Sequence, residues 1–300
     1  MVTGRRQVLS MLSGALGAAA GLAAHPTFAQ GSDSALKIIV GFPPGGATDT
    51  VARRLSDRIA AQLGRVVIVE NKPGAGGMIA TQQLKAAPPE GSTVMLTIDH
   101  TQVIIPLTFK APGYEALADF TPLAGVAEYA LSMAVSSKIG VKTLGEYRAW
   151  LKAHPEQSNF GVPAIGSVPQ FAGLLVGRSM GVEMVPVPYR GGAPLVSDLI
   201  GGQIPMGIQS IAEHIEHHRR GTMHVLAVSG MQRSAVAPEI PTFHDQGVEG
   251  IERNSWIAFF GPKGLQQDFV SRFSAAVKTA LQDRDIVEQL AKLGNEAKYA

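Results

Sequence analysis

The stretch LKIIV at Leu36–Val40, followed by GFPPGGATDT at Gly41–Thr50, determines how the chain is expected to fold. A short apolar run rich in β-branched residues is typical of a strand buried on both faces. After the Pro-Gly turn, Val51, Leu55 and Ile59 recur at a spacing of four, which predicts an amphipathic helix. The stretch therefore indicates a strand, a glycine-rich turn and a helix start, in that order.

The same order recurs along the chain, which predicts a fold made of repeated strand and helix units. Further junctions of this kind lie at residues 73–77, 166–169 and 191–194, with the sequences PGAGG, GSVP and GGAP. Alternating strands and helices predict an α/β fold of parallel βαβ units with helices on both faces of the sheet. The last predicted element is one long helix from Asp268 to Leu293.

The N-terminus predicts an exported protein. Arg5 and Arg6 precede a run rich in Ala, Gly and Leu that ends in the small-residue sequence TFA. We expect residues 1–29 to form an export signal, cleaved near Ala29, and the mature protein to be soluble in the periplasm. A membrane anchor is the alternative. The chain has no cysteine, which excludes both a disulfide and a lipid-anchored N-terminus.

Charge and composition limit the classes of partner that the protein is expected to bind. A hydrophobic fraction of 45% with 17% charged residues is that of a globular protein. The 26 basic residues include two in the export signal, which leaves 24 against 24 acidic residues in the mature chain. This balance, with no basic cluster interleaved with aromatic residues, makes nucleic acid an unsuitable partner.

The glycine junctions predict an anion site. A helix start presents unpaired N–H groups and a partial positive charge, and glycine lets a ligand approach the backbone closely. Ordinary turn chemistry is the alternative for any single junction. None of the loops completes a nucleotide-binding motif, so no cofactor is expected. Several such loops in two halves would surround one small anion at the carboxyl ends of the strands.

Two other patterns favour structural roles over chemistry. His214 and His218 are four residues apart, a spacing that can bind zinc, but a solvated helix end is the favoured interpretation. Ser167 precedes Val-Pro and fits a helix cap better than a nucleophile. We therefore expect no metal site, no catalytic residue and no enzymatic activity.

Five ordered segments between about Lys37 and about Gly294 resemble the extracytoplasmic solute receptors of the tripartite tricarboxylate transporter system, the Bug family. They are FPPGGATDTVAR, VVIVENKPGAGGMIA, VPYRGGAPLVSDLIGGQI, HVLAVSG and PEIPTFHDQGVEG. The resemblance implies a two-lobed periplasmic binding protein of the type II, Venus flytrap kind, with two crossover strands. It also implies a solute held mainly by backbone amides, hydroxyl groups and water.

The resemblance assigns ligand contacts to both lobes. In the first lobe they are Phe42, Gly45, Gly46, Asp49, Thr97, Asp99 and His100. In the second lobe they are Gly166, Ser167, Gln170, Tyr189 and Gly191, together with Gln209, which stands where many family members have an acidic residue. Asp49 also fits a helix cap, which is the simpler interpretation of its position in the first turn.

The expected division places residues 34–133 and 252–300 in the first lobe and residues 134–251 in the second. The expected function is capture of a small organic carboxylate, a tricarboxylate, dicarboxylate or related acid, for the membrane permease subunits of the transporter, by a monomer. A sensor receptor that signals to a membrane kinase is one alternative, and an exported hydrolase is another.

Overall fold

Two mixed β-sheets organise the chain in the computed structural model, which describes residues 35–300. The predicted export signal, residues 1–29, lies outside the described residues. The first sheet has the spatial order β11 (Asn295–Ala297), β4 (Phe120–Tyr129), β10 (Ser255–Pro262), β3 (Thr93–Ile98), β1 (Leu36–Val40) and β2 (Val67–Asn71). The second has the order β7 (Val185–Pro188), β6 (Asn159–Val162), β8 (Met206–Ser210), β5 (Leu131–Ser136) and β9 (Met223–Val228).

Helices cover both faces of each sheet. One face of the first sheet packs against α1 (Ala47–Leu63), α8 (Gln267–Ala280) and α9 (Arg284–Lys292), and the other against α2 (Met78–Lys85) and α3 (Ile105–Thr108). One face of the second packs against α4 (Leu144–Ala153) and α5 (Val168–Met180), and the other against α6 (Gly192–Gly201) and α7 (Ile211–Arg219). The predicted α/β architecture is confirmed.

The opening stretch folds as its pattern predicts. Ile38, Ile39 and Val40 of β1 are fully buried, because helices cover the strand on both sides. The predicted stripe of α1 faces the same core, and the helix ends at Gly64, whose φ of 62° lies in the left-handed region. The strand, the turn and the helix predicted from the local sequence are therefore the elements that pack into the core of the first sheet.

The sheets are mixed, whereas the sequence predicts parallel units throughout. β10 runs antiparallel to both β3 and β4, and β5 runs antiparallel to both β8 and β9. β5 is the first strand after the chain leaves the first sheet, and β10 is the first strand of the first sheet after the chain returns from the second. Each therefore runs in the opposite direction to its neighbours, and the chain crosses between the sheets twice.

The two crossings define two lobes. The first crossing is Ala130, between β4 and β5, and the second comprises residues 251–254, before β10. We call residues 35–129 with 255–300 the first lobe, residues 131–250 the second lobe, and the two crossings together the junction. Met133 pairs with Ile208 in the second sheet, so we propose a boundary at Ala130 in place of the one predicted after Met133.

The predicted helix from Asp268 to Leu293 is wrong as a single element, since α8 ends at Ala280 and α9 begins at Arg284. The side chain of Asp283 accepts a hydrogen bond of 2.9 Å from the backbone N–H of Asp285, which starts a new helix. Asp283 also pairs with Arg58 of α1 at 2.7 Å. The capping hydrogen bond of Asp283 thus ends the continuous helix that the apolar spacing predicts and starts α9.

We expect Gly173→Ala to lower the free energy of unfolding by about 1–3 kcal/mol through overpacking. A Cβ at this position in α5 would lie 2.0 Å from Cε2 of Phe160, a fully buried side chain of β6. Gly145→Ala is the matched control, because a Cβ there in α4 meets nothing within 4 Å and should stabilise the helix by up to about 1 kcal/mol. Urea unfolding of both variants tests this, and equal effects would contradict it.

Candidate functional site

The carboxyl ends of the first sheet's parallel strands lie at the junction. β1 and β3 are parallel, and Ile98 at the end of β3 pairs with Ile257 near the start of antiparallel β10. Since β10 begins directly after the second crossing, the loops that follow β1 and β3 lie at the edge of the sheet nearest the second lobe.

The carboxyl ends of the second sheet's parallel strands face the same place. β6 and β8 are parallel, and the N–H of Ile211, directly after β8, donates to the carbonyl of Ala130 at 2.9 Å. The loops after β6 and β7 are linked, because the N–H of Gly191 donates to the carbonyl of Pro163 at 3.0 Å. Glycine-rich loops of both lobes thus lie at the edges of the sheets that face the junction.

The carboxylate of Asp49 forms its hydrogen bonds with groups in and beside its own loop. This carboxylate accepts hydrogen bonds from the N–H of Gly45 at 2.8 Å, from Asn71 at 2.9 Å and from Arg53 at 3.0 Å. Burial acts to raise the pKa of Asp49, but hydrogen bonds from Arg53, Gly45 and Asn71 outweigh it and hold that pKa below its usual value. The geometry supports a cap that fixes the loop.

The two glycines of this loop differ. Gly45 has a φ of 80°, which favours glycine, whereas Gly46 has a φ of −70° and a ψ of 167°, which any residue adopts. Both their N–H groups are used, by Asp49 and by the carbonyl of Pro43. Within residues 35–300 the N–H groups of Ala47 and Thr48 at the start of α1 have no partner, so these are the donors available to a ligand.

Phe42 and Thr97 serve the first lobe internally. Phe42 packs against the core of the first sheet, and its carbonyl accepts a hydrogen bond of 3.0 Å from the side chain of Asn71. Thr97 is buried in β3 opposite Ala258. Their assignment as ligand contacts stays a prediction.

Asp99 follows β3 and lies at the junction. Its carboxylate accepts a 2.8 Å hydrogen bond from the N–H of His100, and the start of β10 at Ser255 and the end of β4 at Tyr129 lie beside it. Burial raises the pKa of Asp99 to about 6, against a smaller opposing effect of the Ser255 hydroxyl. Sequence reasoning missed Tyr129 and Ser255, because only the pairing of β4 with β10 brings them here.

His100 lies under the loop after β2. Its Nε2 is 2.9 Å from where a Cβ on Gly76 would lie, and Thr101 next to it donates to the carbonyl of Gly76 at 2.8 Å. Burial lowers the pKa of His100 and so favours the neutral ring. No partner for its Nδ1 occurs in the described part of the chain.

The loop after β6 resembles the loop after β1 in its use of polar groups. Gly166, with a φ of 66°, donates its N–H to Oε1 of Gln170 at 2.8 Å. Ser167 is the N-cap residue of α5, as predicted, but its hydroxyl donates to the carbonyl of Ala164 at 2.7 Å and accepts no hydrogen bond from the first turn of the helix. The N–H of Val168 has no partner among residues 35–300.

Tyr189 and Gly191 flank the start of α6. The hydroxyl of Tyr189 donates to the carboxylate of Asp198 at 2.8 Å. Burial, and then the Asp198 carboxylate, raise the pKa of Tyr189 to about 12. Gly191 has a φ of 101°, which favours glycine at this turn.

Gln209 belongs to a buried polar cluster. Its amide nitrogen lies 3.1 Å from Nε2 of His214, whose Nδ1 is 2.9 Å from the hydroxyl of Ser132. His214 is fully buried and burial lowers its pKa to about 3, so the predicted solvated helix end is wrong for this residue. Oε1 of Gln209 has no partner in residues 35–300 and lies 2.6 Å from where a Cβ on Gly192 would be.

A cavity of about 1380 Å³ runs along the junction. Of the predicted site residues only Asp99 lines it. Val103 and Ile104 of the first lobe line it on one side, and Val168 and Phe171 of α5 on the other. Sequence reasoning missed these four residues, because apolar residues near helix starts look like core.

Residues 35–300 contain neither a cluster of metal ligands nor a membrane-spanning helix. No group of three or more His, Cys, Asp or Glu side chains there is placed to hold a metal ion. No helix in that range has both the length and the apolar character needed to span a bilayer.

Two α/β lobes joined by two crossings, with helix starts of both lobes at the junction, define a two-lobed solute-binding protein. Residues 51–300 match the family described as "Tripartite tricarboxylate transporter family receptor", and the chain belongs to that family. The family consists of periplasmic receptors for transporters and not of enzymes, which sets aside the hydrolase alternative.

Individual relatives agree with this assignment. Protein BugT of Bordetella pertussis is 30% identical over 278 residues, covering 92% of this chain and 85% of BugT. MatC from Rhodopseudomonas palustris, solved with bound malate, is 29% identical with a TM-score of 0.78, covering 88% of this chain and 90% of MatC. Another R. palustris protein, solved with adipate, is 26% identical with a TM-score of 0.81, covering 88% of both chains.

We expect Asp49→Asn to lower the free energy of unfolding by about 1–2 kcal/mol at pH 7, because a buried carboxylate loses charge-assisted hydrogen bonds. Since the pKa of Asp49 is lowered on folding, this stabilisation is present above its ordinary pKa of 3.8 and is lost as pH falls below it. Urea unfolding at pH 7 and pH 3 measures both effects.

Asp268→Asn is the matched control for Asp49→Asn. Asp268 also pairs with an arginine four residues later, Arg272 at 3.8 Å, but its side chain is 79% exposed. A loss below about 0.5 kcal/mol is expected there. If Asp49→Asn instead keeps its stability and loses ligand affinity, Asp49 is a ligand contact and not a cap.

Asp99→Asn should affect the pH dependence of stability in the opposite direction to Asp49→Asn. It should remove a loss of stability that the wild-type protein shows as the pH rises. Because burial raises the pKa of Asp99 to about 6, the folded protein holds this proton more tightly than the unfolded chain does. Wild-type stability should therefore fall, relative to the variant, between pH 4 and pH 7, by on the order of 1–3 kcal/mol. Thermal melts across this range test it, and a difference that does not change with pH would contradict it.

Proposed function

We propose that this receptor captures a small organic carboxylate between its lobes and delivers it to the membrane permease subunits of a tripartite tricarboxylate transporter. The observation that carries the proposal is the convergence of unpartnered helix-start N–H groups, at Ala47, Thr48 and Val168, at sheet edges that face one junction. Such groups favour an anion through both hydrogen bonding and the helix dipole.

The binding affinity expected of such a site is in the range suited to a transport receptor. An N–H hydrogen bond to a charged acceptor contributes roughly 1.5–3 kcal/mol, and micromolar affinity corresponds to about −8 kcal/mol. A few amide bonds together with lobe closure therefore suffice. The solved relatives with malate and with adipate support a carboxylate as the ligand class for this chain.

The proposal includes the protein's location and state. We place the mature chain in the periplasm after cleavage of residues 1–29 near Ala29, in accordance with the paired Arg5 and Arg6 before an apolar run. The balanced charge of the mature chain supports the absence of a nucleic-acid partner, and we propose that the receptor is a monomer.

We expect Gly46→Val to weaken carboxylate binding at least tenfold while the protein stays folded. Valine adopts the backbone angles of Gly46 without strain, and its Cβ would meet only the carbonyl of Pro43, at 3.2 Å. The added side chain would instead block a carboxylate that approaches the N–H groups of Ala47 and Thr48. Isothermal titration calorimetry with a panel of carboxylates, paired with a thermal melt, measures the effect.

Gly145→Ala, far from the junction in α4, should bind the same carboxylate with unchanged affinity. If affinity of Gly46→Val stays within twofold of wild type while its melting temperature drops, the glycine serves only the turn. If no carboxylate in the panel binds the wild-type protein, the proposed function fails.

A further inference from the structure

Partly exposed apolar side chains of both lobes line the junction cavity. Val103 of the first lobe is 42% exposed and Phe171 of the second lobe is 37% exposed, and both line the cavity. Ile104 and Val168 extend the two walls. Exposed apolar surface that lines a cavity marks a binding surface for an apolar group.

These walls begin where the anion donors lie. Val168 is the first residue of α5, so its N–H is one of the unpartnered donors while its side chain lines the cavity. Phe171 follows within the first turn of the same helix. A ligand whose carboxylate lies at the start of α5 would thus place its next carbon atoms against the walls.

The lobes also approach each other through apolar atoms on this side. Phe109, directly after α3, has its Cε2 atom 3.9 Å from where a Cβ on Gly166 would lie. Phe109 is 39% exposed and Ile165 beside Gly166 is 66% exposed. Exposed apolar side chains of both lobes therefore lie near the start of α5.

The charges that line the cavity do not compensate a multiply charged ligand. Its acidic residues, Asp99, Glu128, Glu252 and Glu296, outnumber its basic residues, Arg233, Arg253 and Lys298. Arg233 pairs with Asp245 at 3.2 Å and Lys298 with Glu128 at 2.7 Å. Of the basic side chains that line the cavity, only Arg253 has no ion-pair partner within residues 35–300, so a second or third carboxylate on the ligand would find little cationic compensation there.

We propose that the ligand of this receptor is a monocarboxylate with an apolar body, of the alkanoate or arylalkanoate class, whose body packs between Val103 and Phe171. The inference rests on the proposed carboxylate capture and names the class of acid. The backbone amides hold one carboxylate, and the two apolar walls select what is attached to it.

Calorimetry with propionate, hexanoate, phenylacetate, malate and citrate tests the inference. Each buried CH₂ group adds about fourfold in affinity, so hexanoate should bind at least tenfold more tightly than propionate. Hexanoate and phenylacetate should also bind more tightly than malate and citrate. Tighter binding of malate or citrate overturns the inference and leaves carboxylate capture standing, whereas no binding of any of the five acids overturns both.

Variants of the two walls make the test specific. Phe171→Ser should weaken hexanoate binding at least tenfold and propionate binding much less, because the short acid does not reach the ring. Leu174→Ser is the matched control on α5, since Leu174 is 39% exposed but does not line the cavity. Val103→Ser repeats the test from the first lobe if Phe171→Ser does not fold. Equal effects of the wall variants and the control overturn the inference.

Discussion

One serine hydroxyl holds together the two places where the chain crosses between the lobes. The Oγ of Ser229 accepts a hydrogen bond of 2.8 Å from the N–H of Leu131, next to the first crossing, and donates one of 2.9 Å to Oδ1 of Asn254 in the second. The N–H of Ser229 also donates to the carbonyl of Leu131 at 2.9 Å. Because the crossings are tied at this point, the strands that leave them bring the carboxyl ends of both sheets to one junction.

The tie between the two crossings brings two kinds of group to the proposed site: groups that bind the charge of a ligand and groups that select which acid is bound. Polar side chains near the loops are mostly satisfied inside their own lobe, as Asp49 is by Arg53 and Tyr189 is by Asp198. What remains for a ligand is mainly backbone N–H groups, which recognise charge, together with Nδ1 of His100 and Oε1 of Gln209, which have no partner within residues 35–300. In the proposed site, discrimination among acids would then depend on the apolar residues that line the cavity and on the buried carboxyl group of Asp99, whose pKa burial raises to about 6.

Local sequence predicted the parts of the fold that depend on local pattern, including the first strand, its turn and α1. It missed β4, because Pro122 and Gly125 within it are unfavourable in strands and only pairing with β10 holds them there. It placed His214 in solvent, because a row of histidines and arginines hides which face of α7 packs inward. The cavity walls lie in elements far apart in sequence, so no local pattern brings them together.

The interleaved order of the first sheet also governs how the chain can assemble. Residues 131–228 supply every strand of the second sheet in one uninterrupted stretch, whereas β10 must insert between β3 and β4 from beyond that stretch. Pairing across so long a separation is intrinsically slow. Until β10 arrives, β3 and β4 each expose an open row of N–H and C=O groups that can pair with another chain. Topology therefore favours an order of assembly in which the second sheet forms before β10 completes the first sheet.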